Sequence, residues 1–465
     1  MKVLLLTPPA PKLRNPATAE VDLLPPKTWV PLGIAYLAGA LRMDGIEAHC
    51  YDLHSYTWMA AAELLEREQP DVVGISCFTL GRAHALRLAT LARMVLPEAR
   101  IVMGGPHATF FPGHMLRNKA VDVVALGEGE ETIVELVRCF EQGGDVHRVR
   151  GLALRAGNSF VRTPPRKRGT VLNGLALPVY DTFDLSEYKS PEIPPQYQGL
   201  TGTHILTSRG CPFQCNFCSV HSFFDGRWAS RSPLNVIGEI EMLMERFDVR
   251  HIYFSDDLFS LNRERVISLC REIIDRKLEF LWMAETRVDL VDEELLAWMR
   301  RAGCYRIYYG VESGSPRVLK TANKGFTPDQ VRDAFRFTHQ AGMEPCCFLM
   351  VGNPGETMDT IGETVELIRD IRPATMPILG INTILPASAQ YSRAKELRLI
   401  SDEYWLSDEA PPLYTAEHDV DDLIYMQMML TKGIAPEVYA HMCEMGFDEK
   451  YFLMRRMARD FAART

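Results

Sequence analysis

Over the first third of the chain, apolar residues come in short blocks separated by polar turns. The run Lys2–Thr7 is apolar throughout its middle and reads as a strand buried on both faces. Further strands are predicted at Glu47–Asp52, Val72–Ser76, 100–103 and 121–125. Helices are predicted between and after them, at 32–42, 83–96 and 130–142, where the pattern turns helical. Strands alternating with helices make a doubly wound, five-stranded α/β sheet over residues 1–145. Such sheets bind ligands at the carboxyl ends of their strands. Residues 146–202 are rich in Pro, Gly and Arg and have little periodicity. They read as an ordered linker with a short hairpin around Gly151 to Thr163.

From Thr203 the βα pattern resumes. Strands are predicted at 204–207, 251–254, 280–284, 305–309, 345–350 and 379–385, with helices such as 233–246 and 293–302 between them. Six βα units over 203–395 predict a partial (β/α)6 barrel of the TIM type. Its active end lies at the carboxyl ends of the strands. Residues 396–465 form a helical region rich in Met426, Met428, Met429, Met442, Met445, Met454 and Met457. Flexible Met side chains there predict a packed helical cap.

Composition narrows the function classes. A chain of 465 residues holds two or three domains. The net charge of -9 argues against nucleic acid, whose phosphates require clustered Lys and Arg. The one basic run, Arg166-Lys167-Arg168, reads as a solvated loop. The first apolar run is too short for a signal peptide, and no apolar stretch reaches the length of a membrane span. Eleven cysteines, an odd number without a disulfide-like pattern, predict a reducing, cytoplasmic setting.

The chemistry concentrates in Ser-Arg-Gly-Cys-Pro-Phe-Gln-Cys-Asn-Phe-Cys, which carries Cys211, Cys215 and Cys218. Three thiolates at C-x3-C-x2-C spacing can hold three irons of one [4Fe-4S] cluster and leave the fourth iron open. A structural zinc site would need a fourth ligand nearby, and His221 is near enough in sequence to be one. Gly210 and Pro212 mark a tight loop, and Phe217 precedes the last cysteine.

This run resembles the signature of the radical S-adenosylmethionine (SAM) enzymes. The resemblance implies that the unique iron chelates SAM and that the reduced cluster releases a 5'-deoxyadenosyl radical. Family-like segments follow along the barrel. Ser255-Asp256-Asp257 ends the second strand, where the family meets the SAM amino group; Asp257 reads equally as a helix cap. Arg287 in Glu285-Thr286-Arg287 either faces the SAM carboxylate or substrate, or pairs with Asp289. Glu312 in Gly310-Val311-Glu312-Ser313 resembles the family's G-x-E-S segment, which meets SAM. Asn323-Lys324-Gly325 is also family-like and reads equally as a helix-capping turn, and the family-like Gly352-Asn353-Pro354-Gly355-Glu356 reads mainly as a tight turn into the next helix. Cys304, Cys346 and Cys347 read as buried packing residues.

The first domain resembles the flavodoxin-like cobalamin-binding domain of cobalamin-type radical SAM enzymes. The resemblance rests on Pro31-Leu32-Gly33-Ile34-Ala35-Tyr36, Gly74-Ile75-Ser76, Gly104-Gly105-Pro106-His107 and Gly127-Glu128-Gly129-Glu130. It implies a slot for the cobalamin tail bordered by Ser76, Gly104 and Gly105. Asp52-Leu53-His54 only partly matches the axial-ligand motif D-x-H-x-x-G, because Thr57 replaces the glycine and the segment follows the second strand. Trp29, Phe78, Phe110 and Phe111 are bulky groups that could fill the slot and leave the domain empty.

Two reactions follow from the resemblance. With cobalamin bound, it implies methyl transfer to carbon of a small molecule, a natural product of the antibiotic kind. With the slot empty, it implies radical dehydration of a 1,2-diol, as in aminoglycoside biosynthesis. Carboxylates at the strand ends (Asp256, Asp257, Glu285, Glu312) favour a cationic amino sugar by attraction. Either reaction calls for a reductant, a flavodoxin- or ferredoxin-like donor or a chemical one.

Overall fold

The computed structural model describes residues 1–10, 13–14, 21–23, 27–157, 159–168, 172–188, 197 and 199–444. Met445, Met454 and Met457 lie outside the described residues, as does part of the 146–202 linker.

The first sheet contains β1 Lys2–Thr7, β2 Glu47–Asp52, β3 Val72–Ser76, β4 Arg100–Gly104, β5 Val123–Ala125, β6 Leu152–Ala156 and β7 Ser159–Arg162. Their spatial order is β2-β1-β3-β4-β5-β6-β7. The first five are parallel, in the flavodoxin-like order, with a switch point between β1 and β3. The sheet therefore has seven strands rather than the expected five. The hairpin expected in the linker pairs antiparallel with β5 and covers an edge that would otherwise expose unpaired backbone groups.

Alternation along the strands divides this sheet between two cores. Val3, Leu5, Val72, Val102 and Val123 face one side, with helices Leu32–Met43 and Glu130–Glu141. Leu4, Leu6, Val73, Ile75 and Ile101 face the other, with Trp58–Glu68 and Arg82–Val95. The helix Trp58–Glu68 is absent from the sequence reading. Thr57 starts it by accepting a hydrogen bond from the Ala60 amide at 3.1 Å.

The second sheet contains β8 Thr201–Ile205, β9 Val249–Phe254, β10 Leu281–Thr286, β11 Cys304–Glu312, β12 Glu344–Val351 and β13 Ile378–Ile381. All six are parallel and adjacent in chain order, the expected partial barrel. Its apolar core is continuous with the first core of the preceding sheet. Cys304, Cys346 and Cys347 are buried in the barrel, as expected.

After the barrel, helix Val420–Ile434 packs Met426 and Met428 into the core. The stretch before it is not helical in the main. It carries Trp405 back onto the first domain, where Arg82 Nε donates to the Trp405 carbonyl at 3.2 Å.

The linker is anchored from its far side. Tyr180 donates its hydroxyl to Glu239 Oε1 at 2.8 Å, and the same carboxylate pairs with Arg231. Both partners of this ion pair are buried. Glu239→Ala leaves the Arg231 guanidinium unpaired in the interior. We expect a loss of about 3–5 kcal/mol, the cost of breaking a buried pair from one side, measured as a lower urea midpoint.

Candidate functional site

The carboxyl ends of β1, β3, β4 and β5 face the cysteine loop of the barrel across a cavity of about 470 Å³. Ser76, Gly104, Gly105 and Ala125 contribute small residues to its wall. Gly105 has φ +100°, and a Cβ there would come within 2.9 Å of the Cys77 carbonyl oxygen. Only glycine fits that turn. A Cβ on Gly33, at the start of the first helix, would meet nothing within 4 Å.

The bulky residues do not close this space. Trp29 turns into the barrel, with ring centroids 4.9 Å from Tyr253 and 5.2 Å from His204. Phe78 is 61% exposed at the cavity edge. Phe110 packs edge-on against Phe223, and Phe111 packs beneath Trp405. His54 follows the edge strand β2 and does not border the cavity. Its amide donates to Asp52 Oδ1 at 3.2 Å.

The cysteine loop starts at Gly210, whose φ is +86° and whose amide donates to Asp257 Oδ2 at 2.9 Å. A Cβ at Gly210 would lie 2.2 Å from the Arg227 carbonyl oxygen. The loop is therefore tightly held before Cys211. Cys218 donates its amide to the Cys215 carbonyl at 3.1 Å, and Val220 N–H points to Cys218 Sγ at 3.4 Å. Burial raises the Cys211 thiol, and it pushes Cys218 up to about 11, with Cys215 and Cys211 adding to the effect. The three thiols are thus electrostatic neighbours. Among the described residues, no three His, Cys, Asp or Glu side chains converge on a single metal-ion position. A cluster spreads its cysteines over three irons, whereas one tetrahedral zinc gathers them. His221 sits against Gly226, with Nε2 3.5 Å from Gln214 Nε2. The soft donor set and its spacing fit the cluster better than zinc.

The strand-end acids are mostly occupied by their own neighbours. Asp256 is buried and accepts from Thr207 N, Thr207 Oγ1 and Ser208 Oγ at 2.6, 2.5 and 2.7 Å. Glu285 accepts from the Tyr253 hydroxyl. Glu312, at φ +67°, pairs with Lys324 Nζ at 3.1 Å. Asp257 borders the cavity, and burial raises its carboxyl above the usual range. The expected acidic wall for an ammonium group is not present as a free surface. Arg287 makes the expected pair with Asp289, which does not exclude a ligand at the other edge of the guanidinium. It forms two 2.9 Å contacts with Asp289 and stacks 3.7 Å over Phe213 in the cysteine loop. Its Nη1 is buried without a hydrogen-bond partner. Phe217 lies beneath Lys324, with Nζ 5.8 Å from the ring centroid.

Two cations have partners that the sequence does not indicate. Lys324 looked like a turn residue but is 5% exposed beside Glu312. Arg209, two residues before Cys211, pairs with Glu128 at 3.0 Å and Glu130 at 2.7 Å. Its own position in the signature run was the one available signal.

Residues 205–368 match the model of the radical SAM superfamily, and residues 25–137 match the B12 binding domain. An uncharacterized methyltransferase of Pyrococcus horikoshii is 32% identical, over 80% of this chain and 78% of that one. The chain is a radical SAM enzyme with a B12-binding domain. The anaerobic magnesium-protoporphyrin IX monomethyl ester cyclase of Rubrivivax gelatinosus is 30% identical, over 74% of this enzyme and 63% of its own length. The fold matches the cobalamin-dependent SAM radical enzyme OxsB with aqua-cobalamin bound, at TM-score 0.72 and 18% identity, covering 93% of this enzyme and 67% of that chain. Membership in the superfamily brings a [4Fe-4S] cluster and SAM as cofactors. The B12-binding domain and its open cavity bring cobalamin. No helix among the described residues is long and apolar enough to cross a membrane.

Glu356 illustrates a family-like residue with a local task. It accepts from the Gly352 and Asn353 amides at 2.6 and 3.3 Å, closing the turn after β12. Burial pushes its carboxyl up to about 7. The folded chain then holds a proton that the unfolded chain releases near pH 4.5, so stability falls as pH rises from about 4.5 to 7. At roughly 1.4 kcal/mol per pKa unit the loss is about 3 kcal/mol. Urea titrations across this range should show the slope in the wild type and not in Glu356→Gln.

Proposed function

We propose that this enzyme methylates carbon in a small-molecule natural product, in a cobalamin-dependent reaction begun by a 5'-deoxyadenosyl radical. The observation that carries the reading is the open cavity between the glycine-lined strand ends and the cysteine loop. Cys211, Cys215 and Cys218 hold three irons of the cluster, and Ser76, Gly104 and Gly105 admit the corrin tail. When bound, the reduced cluster supplies the electron that cleaves SAM, and the corrin carries the methyl group. The chain's own residues bind, orient and exclude water.

Glu312 receives a polar group of SAM, with Lys324 fixing its carboxylate through the 3.1 Å pair. Arg287 offers its unpartnered Nη1 to the SAM carboxylate while Asp289 fixes the other edge of the guanidinium. Phe217 and Asp257 complete the cofactor surround. A flavodoxin- or ferredoxin-like protein, or a chemical reductant, supplies electrons. The alternative, cobalamin-free dehydration of an amino-sugar diol, relied on free strand-end acids and a filled slot. The internal partners of Asp256, Glu285 and Glu312 remove much of its support.

Glu312→Gln keeps the shape and removes the charge. SAM binding should weaken by about 1.5–3 kcal/mol, the range for hydrogen bonds to charged groups, at unchanged iron content. Unaltered SAM affinity would assign Glu312 to structure alone.

The reaction is tested with enzyme expressed in ample hydroxocobalamin and reconstituted anaerobically. Stoichiometric corrin, 5'-deoxyadenosine and a product in which one methyl group replaces a hydrogen are expected. Cys211→Ala, Cys215→Ala and Cys218→Ala should each lose cluster and SAM cleavage. Full turnover without corrin, with oxygen lost from the product, would replace methylation by dehydration.

A further inference from the structure

We propose that Arg209 is a positioning residue that couples filling of the corrin cavity to the affinity of the SAM site. The inference rests on the reading above, that the cavity takes cobalamin and the adjacent loop takes the cluster.

Arg209 belongs to the barrel. Its backbone pairs with Ala229 in a short antiparallel ladder, and the next two residues are Gly210 and Cys211. Its side chain leaves the barrel and ends in the first domain. There Nη1 meets Glu128 Oε1 at 3.0 Å, Nη2 meets Glu130 Oε1 at 2.7 Å, and the guanidinium lies 4.8 Å from the Tyr36 ring centroid. The Arg209 and Glu130 side chains are only 11% and 10% exposed. Tyr36, Glu128, Glu130 and Arg209 all border the corrin cavity. So does Asp257, which accepts from the Gly210 amide at 2.9 Å.

Other contacts join the halves as well, and one of them, Phe110 against Phe223, also borders the cavity. His204 donates to the Val30 carbonyl at 2.6 Å, and Arg82 to the Trp405 carbonyl at 3.2 Å. Those groups do not border the cavity. Arg209 lies two residues before Cys211, and its guanidinium is held by two carboxylates of the cavity wall. A buried guanidinium requires its carboxylates, so the wall and the loop hold their paired arrangement together. A ligand that selects this arrangement at the wall also selects it at the loop. Linkage makes the effect reciprocal: corrin tightens SAM, and SAM tightens corrin by the same factor.

The test is a SAM dissociation constant, measured by equilibrium dialysis on cluster-reconstituted enzyme with and without saturating hydroxocobalamin. In the wild type, corrin should tighten SAM about tenfold, within the range for coupled sites. Glu130→Gln keeps the fold of the wall but removes one charge, and Arg209→Met keeps the length and removes the cation. Both should retain the cluster and bring the ratio close to one; Arg209→Lys should restore part of it. Should Arg209→Met fail to fold, Glu130→Gln alone decides. A wild-type ratio of one, with corrin bound, overturns the coupling and leaves the methylation reading standing. An unchanged ratio in Glu130→Gln also overturns it. If the wild type binds no corrin, both readings fall.

Discussion

One buried guanidinium sits where the two halves of the molecule meet. Arg209 comes from the barrel, and its carboxylates come from the first domain. A cation in that position is tolerated only with partners, because desolvation otherwise exceeds any local gain. Neither half satisfies the group alone. The burial of Arg209 therefore argues for a fixed docking of sheet ends against the cysteine loop, and the cavity is the space left between them. Small residues on the domain side, above all Gly105 with its left-handed backbone, keep that space from collapsing.

The parts of the fold that were legible are those written in local pattern. β1 and β3 are short, apolar and buried on both faces, and the sequence shows each as a continuous block. Six successive βα units likewise announce a parallel sheet in chain order. The helix Trp58–Glu68 was less visible, since only three of its residues are buried. The edge hairpin shows a different limit. Its two strands were legible, but their attachment to β5 depends on which edge stands open in the folded sheet.

At the site, the cysteine loop was legible because its ligand spacing is local. Of the bulky residues Phe78 and Phe110 do border the cavity, but their direction in space, which the sequence does not give, leaves it open. Trp29 precedes the first helix, yet its ring lies against Tyr253 and His204 in the barrel. Lys324 and Arg209 were hidden for the same reason: a charge is written in the sequence, but its tertiary partner is not.

The acids carry that argument furthest. A net charge of -9 and four carboxylates at barrel strand ends together look like an attractive field for a cationic substrate. A carboxylate recognises an ammonium group through lone pairs that internal donors have not taken, and a countercharge or protonation weakens its field. Asp256 accepts three hydrogen bonds, Glu312 holds Lys324, and burial disfavours ionisation of Asp257. The remaining acid, Glu285, takes the Tyr253 hydroxyl. What faces the cavity is Arg209 with its partners Glu128 and Glu130, the Asp257 carboxyl, glycine backbone and aromatic edges such as Phe223. Such a wall selects a ligand by shape and apolar contact more than by charge, as a large flat cofactor requires.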